Sequence, residues 1–176
     1  MSDYIRSKIE GGTYFFTVVT FNRMPIFNNS FARKWLKTAF QKIQQKYPFK
    51  IIAICLLPEH LHCIWQLPKN DKDYSIRWKG IKGLFTKYYL LNGGKQGNRN
   101  KSRIEKREAA VWQRRYWEHT IIDEDDLLNH IDYIHFNPVK HGYVNHPGKW
   151  PWTSFHKFTQ LGYYEDFWGL NEPLKI

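Results

Sequence analysis

The stretch FKIIAICLLPEHLHCIWQL, residues 49–67, decides the fold because it contains the clearest hairpin in the chain. Residues 49–57 and 60–67 are both apolar and strand-like in composition. Pro58 and Glu59 stand between them, where a tight turn is expected. The sequence therefore predicts two antiparallel strands that are neighbours in a sheet.

One strand and one helix are predicted before this hairpin. Residues 13–21 (TYFFTVVTF) are aromatic and β-branched, which favours a strand. Ser30 is a suitable N-cap for a helix that Pro48 ends, with apolar residues at helical spacing between them. After the hairpin, Asp73 is placed to cap a second helix. The apolar stripe of that helix consists of Ile81, Leu84, Phe85 and Tyr88.

Further segments complete the chain. Residues 92–108 (NGGKQGNRNKSRIEKRE) are glycine-rich, polar and basic, and predict a long mobile insertion. Residues 116–122 predict a fourth strand. A third helix is expected over residues 123–137, because Pro138 should stop it. Residues 145–176 form an aromatic C-terminal tail that is too apolar to remain unpacked.

The elements follow in the order β-α-β-β-α-β-α. The first six match the α+β class, as a ferredoxin-like β-α-β-β-α-β sandwich with an antiparallel sheet and helices packed on one face. With 176 residues and no internal repeat, residues 1–176 are predicted to form a single domain on which the tail packs.

The charge of the chain indicates a polyanionic partner. A net charge of +11, from 27 Lys and Arg against 16 Asp and Glu, favours nucleic acid through counterion release. The longest purely apolar run, residues 51–57, is too short to span a bilayer, and the first residues lack the apolar stretch of a signal peptide. Cys55 and Cys63 are interpreted as buried free thiols. No membrane association is expected, and the expected location is cytoplasmic, with the nucleoid reached through DNA binding.

Two histidines on the second strand of the hairpin are candidate metal ligands. On a strand, His60 and His62 point to the same face while Leu61 points to the other. Two imidazoles presented in this way can chelate one divalent ion. The alternative interpretation, two half-buried histidines that only form hydrogen bonds, is equally compatible with this pattern.

The third helix carries a tyrosine away from its apolar side. Its apolar stripe consists of Leu127, Leu128, Ile131 and Ile134. Tyr133 lies on a polar face with Asp126 and His130, and Asn137 follows one turn later. A core tyrosine would be expected nearer the stripe, although Phe136 shows that the far side also carries an aromatic residue.

A phenol and a two-histidine metal site suit phosphodiester chemistry. A metal ion can polarise a scissile phosphate, and a tyrosine can attack it to form a covalent intermediate. Because a phosphotyrosine bond resembles the phosphodiester it replaces, a free DNA hydroxyl can reverse the step. An Asn137 oxygen is a suitable third ligand for so sparse a site.

These motifs carry a family resemblance that extends almost from end to end. The chain resembles the REP-associated tyrosine transposases, a branch of the HUH single-strand transposases. The matching segments are GGTYFFTVVTFNR, LPEHLHCIWQLP, RYWEHTI, HIDYIHFNPVKHG and WPWTSFHKF. They are long and occur in the family's order, so chance similarity is excluded.

The resemblance implies a reaction and a site. It makes His60 and His62 the metal-binding pair, Tyr133 the nucleophile and Asn137 the third metal ligand. The implied cofactor is Mg²⁺ or Mn²⁺, and the implied intermediate is a 5′-phosphotyrosine with a free 3′-hydroxyl. The implied substrate is a single-stranded palindromic repeat folded as a hairpin, cut by a monomer, with a shared-site dimer as the alternative. Two features depart from the family pattern: the insertion at 92–108, and Asn in place of Gln as third ligand.

Other polar residues near these motifs are candidates for DNA contact. Phosphate contacts outnumber base contacts in such interfaces, so basic residues are assigned to the phosphates. The DNA-binding candidates are Arg114, Arg115, Lys140, His141 and Lys87. His119 lies within a family motif and is assigned either a catalytic or a structural role.

Two other functions are compatible with part of the sequence. A non-catalytic single-stranded DNA or RNA binding module of ferredoxin-like fold would explain the charge and the aromatic residues, but not the histidine pair with a polar-face tyrosine. A zinc-stabilised structural protein is disfavoured, because the cysteines lack zinc-finger spacing.

Overall fold

The computed structural model describes residues 8–165 and 167–169 and contains one four-stranded antiparallel sheet. Its strands are Thr13–Val19 (β1), Lys50–Leu56 (β2), His60–Gln66 (β3) and Trp117–Thr120 (β4). The strand order is β2-β3-β1-β4, and every neighbouring pair is antiparallel. This is the order that a ferredoxin-like connection produces, so the predicted fold class is confirmed.

Five α-helices lie within the described residues. They are Ser30–Lys46 (α1), Tyr74–Leu91 (α2), Lys101–Glu105 (α3), Glu124–Lys140 (α4) and Phe155–Gln160 (α5). Asp73 caps α2 as predicted, since its side chain accepts hydrogen bonds from the backbone of the first turn. The predicted cap of α1 is wrong by one residue: Asn29 is the N-cap and Ser30 is the first helical residue. None of the helices described is long and apolar enough to cross a membrane.

The predicted end of α4 is also wrong. Pro138 lies inside the helix, which continues to Lys140. Proline removes one backbone donor and disfavours a helical residue before it, but it does not forbid a further turn. Here the backbone N–H of His141 still donates to the Asn137 carbonyl, at 3.0 Å. The extra turn brings Lys140 onto the same helix as Tyr133.

The two faces of the sheet are covered by different helices. Alternate residues of β1 and β3, including Phe16 and Trp65, pack with α1 and α2 in the larger apolar core. The other face, with Phe15 and Ile64, packs against α4 through Ile131 and Ile134. Because side chains alternate along a strand, His60 and His62 share the face of Ile64. The sheet thus presents both histidines to α4.

The sequence predicted a long irregular insertion at 92–108, and this prediction is wrong in part. It contains α3, and Asn100 caps that helix by accepting from the Arg103 backbone. The Arg103 side chain is buried, lies 4.7 Å over the Phe21 ring, and donates to the carbonyls of Ala109 and Trp112 at 2.7 and 3.0 Å. The sequence of this segment shows no helical spacing of apolar residues, because the buried side chain that anchors it is an arginine.

The described part of the aromatic tail packs on the domain, as predicted. Trp150 donates its indole N–H to the Leu56 carbonyl at 2.9 Å, and the Leu56 backbone N–H donates to the Trp152 carbonyl at 2.8 Å. Ser154 Oγ accepts from the Ile54 backbone N–H at 2.9 Å. The tail therefore covers the outer edge of β2, which is otherwise open to pairing with another strand. Residues 166 and 170–176 lie outside the described residues.

A buried polar network joins this tail to α4. His135 Nδ1 lies 2.8 Å from the Tyr164 hydroxyl, and that hydroxyl donates to Asp132 Oδ1 at 2.7 Å. Nδ1 must then be the donor. In a neutral ring, Nε2 accepts from Ser154 Oγ at 2.7 Å, in competition with the Ile54 carbonyl at 3.1 Å. The network therefore fits a neutral imidazole, and burial lowers the pKa of His135 to about 3.

This histidine makes stability depend on pH. Below its ordinary pKa of 6.5, His135 takes up a proton in the unfolded chain but not in the fold. The contribution of His135 to the free energy of unfolding should therefore fall as the pH drops from 6.5 toward 3, by an amount on the order of 4 kcal/mol. Urea unfolding in EDTA at a series of pH values measures it. His135→Gln should show a shallower pH dependence, and equal slopes for the two proteins would contradict the assignment.

Candidate active site

His60 and His62 form a close, buried pair on β3. They are 2% and 3% exposed, and their rings lie nearly perpendicular, 4.7 Å apart. The two Nε2 atoms face each other at 3.1 Å. The sequence placed both imidazoles on one face of a strand but did not show that α4 would bury them.

The remaining ring nitrogens each have a separate partner. His60 Nδ1 lies 2.9 Å from Glu59 Oε1, and His62 Nδ1 lies 2.8 Å from Thr17 Oγ1 on β1. A carboxylate can only accept, so His60 carries its proton on Nδ1. The Thr17 hydroxyl can accept from His62 in the same way. Both Nε2 lone pairs are then directed at the space between the rings, the arrangement that partners of metal-binding histidines impose.

The electrostatics of the pair favour neutral rings. Burial lowers the pKa of His60 to about 4, against the opposing attraction of Glu59. Burial, together with His60, places the pKa of His62 well below its usual range. Burial would raise the pKa of the Glu59 carboxyl, but the attraction of His60 and the hydrogen bond from Tyr143 outweigh it, so the net shift is downward. Unprotonated imidazole beside an ionised carboxylate is the form that binds metals.

Tyr133 lies against this pair from α4. Its ring is 5.2 Å from the His62 ring and 5.8 Å from Phe15, edge-on to both. Two helical turns later, Lys140 places its ammonium 4.8 Å from the centre of the Tyr133 ring. Among the residues described, no side chain or backbone group forms a hydrogen bond with the Tyr133 hydroxyl. The phenol thus lies next to the histidines and a cation.

Asn137 completes the cluster from one turn beyond Tyr133. Its side chain is fully buried and lies beside His62. The amide nitrogen donates to the Tyr133 carbonyl at 3.2 Å, whereas Oδ1 is buried without a hydrogen bond of acceptable geometry to any described residue. An orphaned buried oxygen is costly unless a ligand satisfies it.

These donors suit a divalent metal ion. Two ligands at right angles on one ion, with bonds of about 2.1 Å, lie about 3 Å apart. The 3.1 Å between the histidine Nε2 atoms matches that spacing, and the unpaired Asn137 oxygen supplies a hard third donor. His60, His62 and Asn137 therefore fit the metal that the sequence predicts.

Three further residues surround Glu59. Arg23 donates to Oε1 at 3.3 Å, and the Tyr143 hydroxyl donates to Oε2 at 3.0 Å. His141 is exposed at the end of α4, with its ring 5.1 Å from His60. Of the predicted DNA contacts, Lys140 and His141 are therefore the ones brought beside the cluster.

The other predicted DNA contacts lie elsewhere. Arg114 is paired with Glu108 at 2.6 Å and lines a cavity of about 320 Å³ beside Arg103. Arg115 is exposed in the segment before β4. Lys87 is exposed on α2, which packs on the opposite face of the sheet from α4. These three residues are not grouped with Tyr133.

His119 lies on β4 and contacts α4 rather than the histidine pair. Its Nε2 is 2.8 Å from Asp126 Oδ2, and its ring stacks on His130 at 4.6 Å. A cavity of about 390 Å³, lined by Phe15, Thr17, Trp117, His130 and Tyr133, lies beside this group. Trp117 is 54% exposed at its rim, which is unusual for so large a ring.

Sequence reasoning missed Glu59 and Thr17. Glu59 was interpreted only as a turn residue, although an acidic side chain directly before a His-x-His pair is a signal for a supporting carboxylate. Thr17 is two residues from Phe15 on β1, and strand alternation places both on the histidine face. The register that pairs Thr17 with His62 is a property of the assembled sheet.

Comparisons with known proteins decide the family. The family model described as "Transposase IS200 like" matches residues 8–137, a range that includes the histidine pair, Tyr133 and Asn137. A Haemophilus influenzae protein described as a REP-associated tyrosine transposase is 43% identical over 176 residues, covering 100% of this chain and 98% of its own. The chain belongs to the REP-associated tyrosine transposases.

Two further relatives agree with this identification. The REP-associated tyrosine transposase of Escherichia coli is 40% identical over 168 residues, covering 96% of this chain and 91% of its own. A solved structure of a REP-associated tyrosine transposase bound to a REP hairpin has a TM-score of 0.80 and 38% identity, covering 98% and 95% of the two chains. This chain is therefore a DNA transposase, and it shares the fold of the hairpin-bound relative over nearly its whole length.

Proposed function

We propose that this transposase cleaves and rejoins single-stranded DNA at repeat hairpins through a covalent bond to Tyr133. The observation that carries the proposal is the contact between Tyr133 and His62, whose Nε2 converges with that of His60 next to the unpaired Asn137 oxygen. A nucleophile, a metal-ligand set and a cation thus meet between β3 and one side of α4. Packing alone does not require a phenol that lacks a hydrogen bond to the described residues, nor two imidazoles beside it whose Nε2 atoms converge.

His60, His62 and Asn137 would hold a divalent ion, Mg²⁺ or Mn²⁺. Bound there, the ion supplies polarisation of the scissile phosphate and stabilises the charge that develops on it. Glu59 and Thr17 hold the two imidazoles in the tautomer that leaves Nε2 free. Asn137 also holds the turn of α4 that carries Tyr133, through its hydrogen bond to the Tyr133 carbonyl.

The chemical step exchanges one phosphate ester for another. The Tyr133 hydroxyl gives up its proton as its oxygen forms a bond to phosphorus, and the bond from phosphorus to the 3′-oxygen breaks. The DNA on the 3′ side stays attached through a 5′-phosphotyrosine, and the 3′-oxygen takes up a proton to become a free hydroxyl. Lys140, whose ammonium lies 4.8 Å from the centre of the Tyr133 ring, would offset negative charge on the phosphate as it is attacked. Attack of a 3′-hydroxyl on the phosphotyrosine reverses the step without an external energy source.

The substrate class follows from charge and from a relative. The net charge of +11 favours a polyanion, and a relative of 38% identity was solved with a REP hairpin bound. Lys140 and His141, exposed beside the cluster, are placed to contact the phosphates next to the cut. Tyr133 and His62 are in contact within one chain, which supports a monomer; a dimer that exchanges α4 between subunits is the alternative.

The experiment that tests this function uses single-stranded repeats from the genome that encodes the protein. Incubation with Mg²⁺ or Mn²⁺ should yield a covalent protein–DNA adduct that survives denaturation, together with rejoined products. EDTA should abolish both. Binding of the same hairpins with no adduct under any metal condition would instead indicate a non-catalytic binding module.

The insertion is proposed to add sequence-independent affinity for DNA. Five of its cations are exposed: Lys95, Arg99, Lys101, Lys106 and Arg107. Replacing all five with Gln should flatten the dependence of log affinity on log salt by roughly 0.7 for each DNA phosphate that the insertion no longer neutralises. Arg103 stays unchanged because its buried side chain holds the segment.

A control removes four charges from α1, which packs on the face of the sheet away from Tyr133. Gln at the exposed α1 positions Lys34, Lys37, Lys42 and Lys46 should leave the salt slope closer to that of the unaltered protein. Sequence preference should survive in both variants. An unchanged slope in the insertion variant would show that this segment does not contact DNA.

A further inference from the structure

A second cluster of ligand-type side chains lies where β4 meets the first turns of α4. We propose that His119, Asp126 and His130 bind a divalent transition-metal ion, separate from the site formed by His60 and His62. The cluster goes beyond the proposed strand transfer, which does not use it. One ligand comes from the sheet and two come from the helix.

The geometry brings three different ligand atoms together. His119 Nε2 lies 2.8 Å from Asp126 Oδ2, and His130 Nδ1 lies 2.9 Å from Asp126 Oδ1. His130 Nδ1 also lies 2.8 Å from the Asp126 backbone carbonyl, so an ion would have to displace the proton that this nitrogen donates. All three ligand atoms lie within 4.8 Å of one another. The two imidazoles are nearly parallel, 4.6 Å apart with an interplanar angle of 12°, so they approach the carboxylate from the same side. The 2.8 and 2.9 Å separations are close to the spacing of about 3 Å for two ligands at right angles on one ion.

The donor set selects a class of metal. Two imidazoles and one carboxylate suit Zn²⁺, Co²⁺ or Ni²⁺, whereas Mg²⁺ prefers oxygen ligands. The His60 site also offers two imidazoles and one side-chain oxygen, so Co²⁺ is a suitable probe ion for both sites. A substrate phosphate would add further oxygen ligands at the His60 site only.

The cluster is accessible but sheltered. The side chains of His119, Asp126 and His130 are 34%, 16% and 14% exposed. His130 also lines the cavity of about 390 Å³ that Tyr133 shares, which provides space for water or a substrate oxygen in the remaining coordination positions. An ion can therefore enter without unfolding either element.

A bound ion would fix α4 to the edge of the sheet. β4 has only four residues, and it pairs with β1 alone. His130 precedes Tyr133 by three residues, so a bridge from His119 to His130 would restrict the helix turn that carries the tyrosine. This consequence for Tyr133 rests on the proposed function, whereas metal binding itself does not. Without an ion, Asp126 holds the same elements more weakly, through its two histidines and the Ile122 backbone N–H.

Titration with Co²⁺ separates the two sites, because its visible spectrum reports coordination by nitrogen and oxygen. The variants are His60→Gln with His62→Gln, His119→Gln with His130→Gln, and all four together. The unaltered protein should bind two equivalents, each double variant one, and the quadruple variant none. Asp126→Asn, which keeps the hydrogen-bonding shape, should weaken the second site by at least about 100-fold. Circular dichroism and hairpin binding confirm that each variant is folded.

Each result has a distinct meaning. If a folded His60→Gln, His62→Gln protein binds no Co²⁺, the proposal is overturned while the metal site of the proposed function stands. If Co²⁺ binding is lost only in the His119→Gln, His130→Gln protein, the proposal stands and the metal assignment of the proposed function fails. Zn²⁺ should also raise the thermal midpoint of the His60→Gln, His62→Gln protein, but not that of the quadruple variant. Equal midpoints with and without Zn²⁺ would count against the proposal.

Discussion

Replacing Tyr133 with phenylalanine is expected to abolish the covalent protein–DNA adduct and strand transfer while the fold and hairpin binding survive. The change removes only the hydroxyl, which is the proposed nucleophile, so the rate should fall by at least about 10⁴-fold. That hydroxyl forms no hydrogen bond with the described residues, and the ring keeps its contacts with Phe15 and His62. The free energy of unfolding should therefore change by less than about 1 kcal/mol.

The adduct assay also tests the polarity of the reaction. With the unaltered protein, a label on the 3′ side of the cut should become linked to the protein, and a label on the 5′ side should not. Tyr88→Phe is a suitable control, because Tyr88 lies on α2 and packs against Trp35 on the opposite side of the sheet. An adduct formed by the Tyr133→Phe protein would remove Tyr133 from the mechanism, and the reverse labelling pattern would overturn the proposed 5′-phosphotyrosine.

Replacing His60 or His62 with glutamine is expected to reduce cleavage by at least about 10³-fold while the protein still binds hairpins. Either change removes a proposed metal ligand and leaves the phosphate without polarisation. Glutamine is preferable to alanine here. Both rings are buried, so alanine would leave a cavity.

Glu59→Gln should have a smaller effect than loss of either ligand. It removes the charge that orients His60 but keeps a side chain of the same shape, so a loss of about 10- to 100-fold in activity or metal affinity is expected.

His156→Gln is the matched control for the His60→Gln and His62→Gln variants. His156 is exposed, and among the described residues it forms a hydrogen bond only with the Trp150 carbonyl. Cleavage at the unaltered rate by a His60→Gln, His62→Gln protein, or in excess EDTA, would exclude the metal assignment.

The local features of this protein were determined by its sequence. Strand periodicity placed His60 and His62 on one face, because alternate side chains of an extended chain point the same way. Helical periodicity separated Tyr133 from the apolar stripe and set Asn137 beside it, because 3.6 residues complete a turn. The order of strands and helices indicated the ferredoxin-like sheet, since few topologies connect such elements without crossings. Each of these features depends on neighbours in the chain.

The features that join distant segments were decided only by the tertiary structure. Thr17 supports His62 because β1 pairs with β3 in one particular register, and a shift by one residue would turn Thr17 to the other face. Arg103 anchors the insertion because its buried guanidinium lies over the ring of Phe21, a residue distant in the chain. The distance from Tyr133 to His62 depends on how α4 packs across the sheet. Packing is a property of two surfaces together, so no pattern within either segment specifies it.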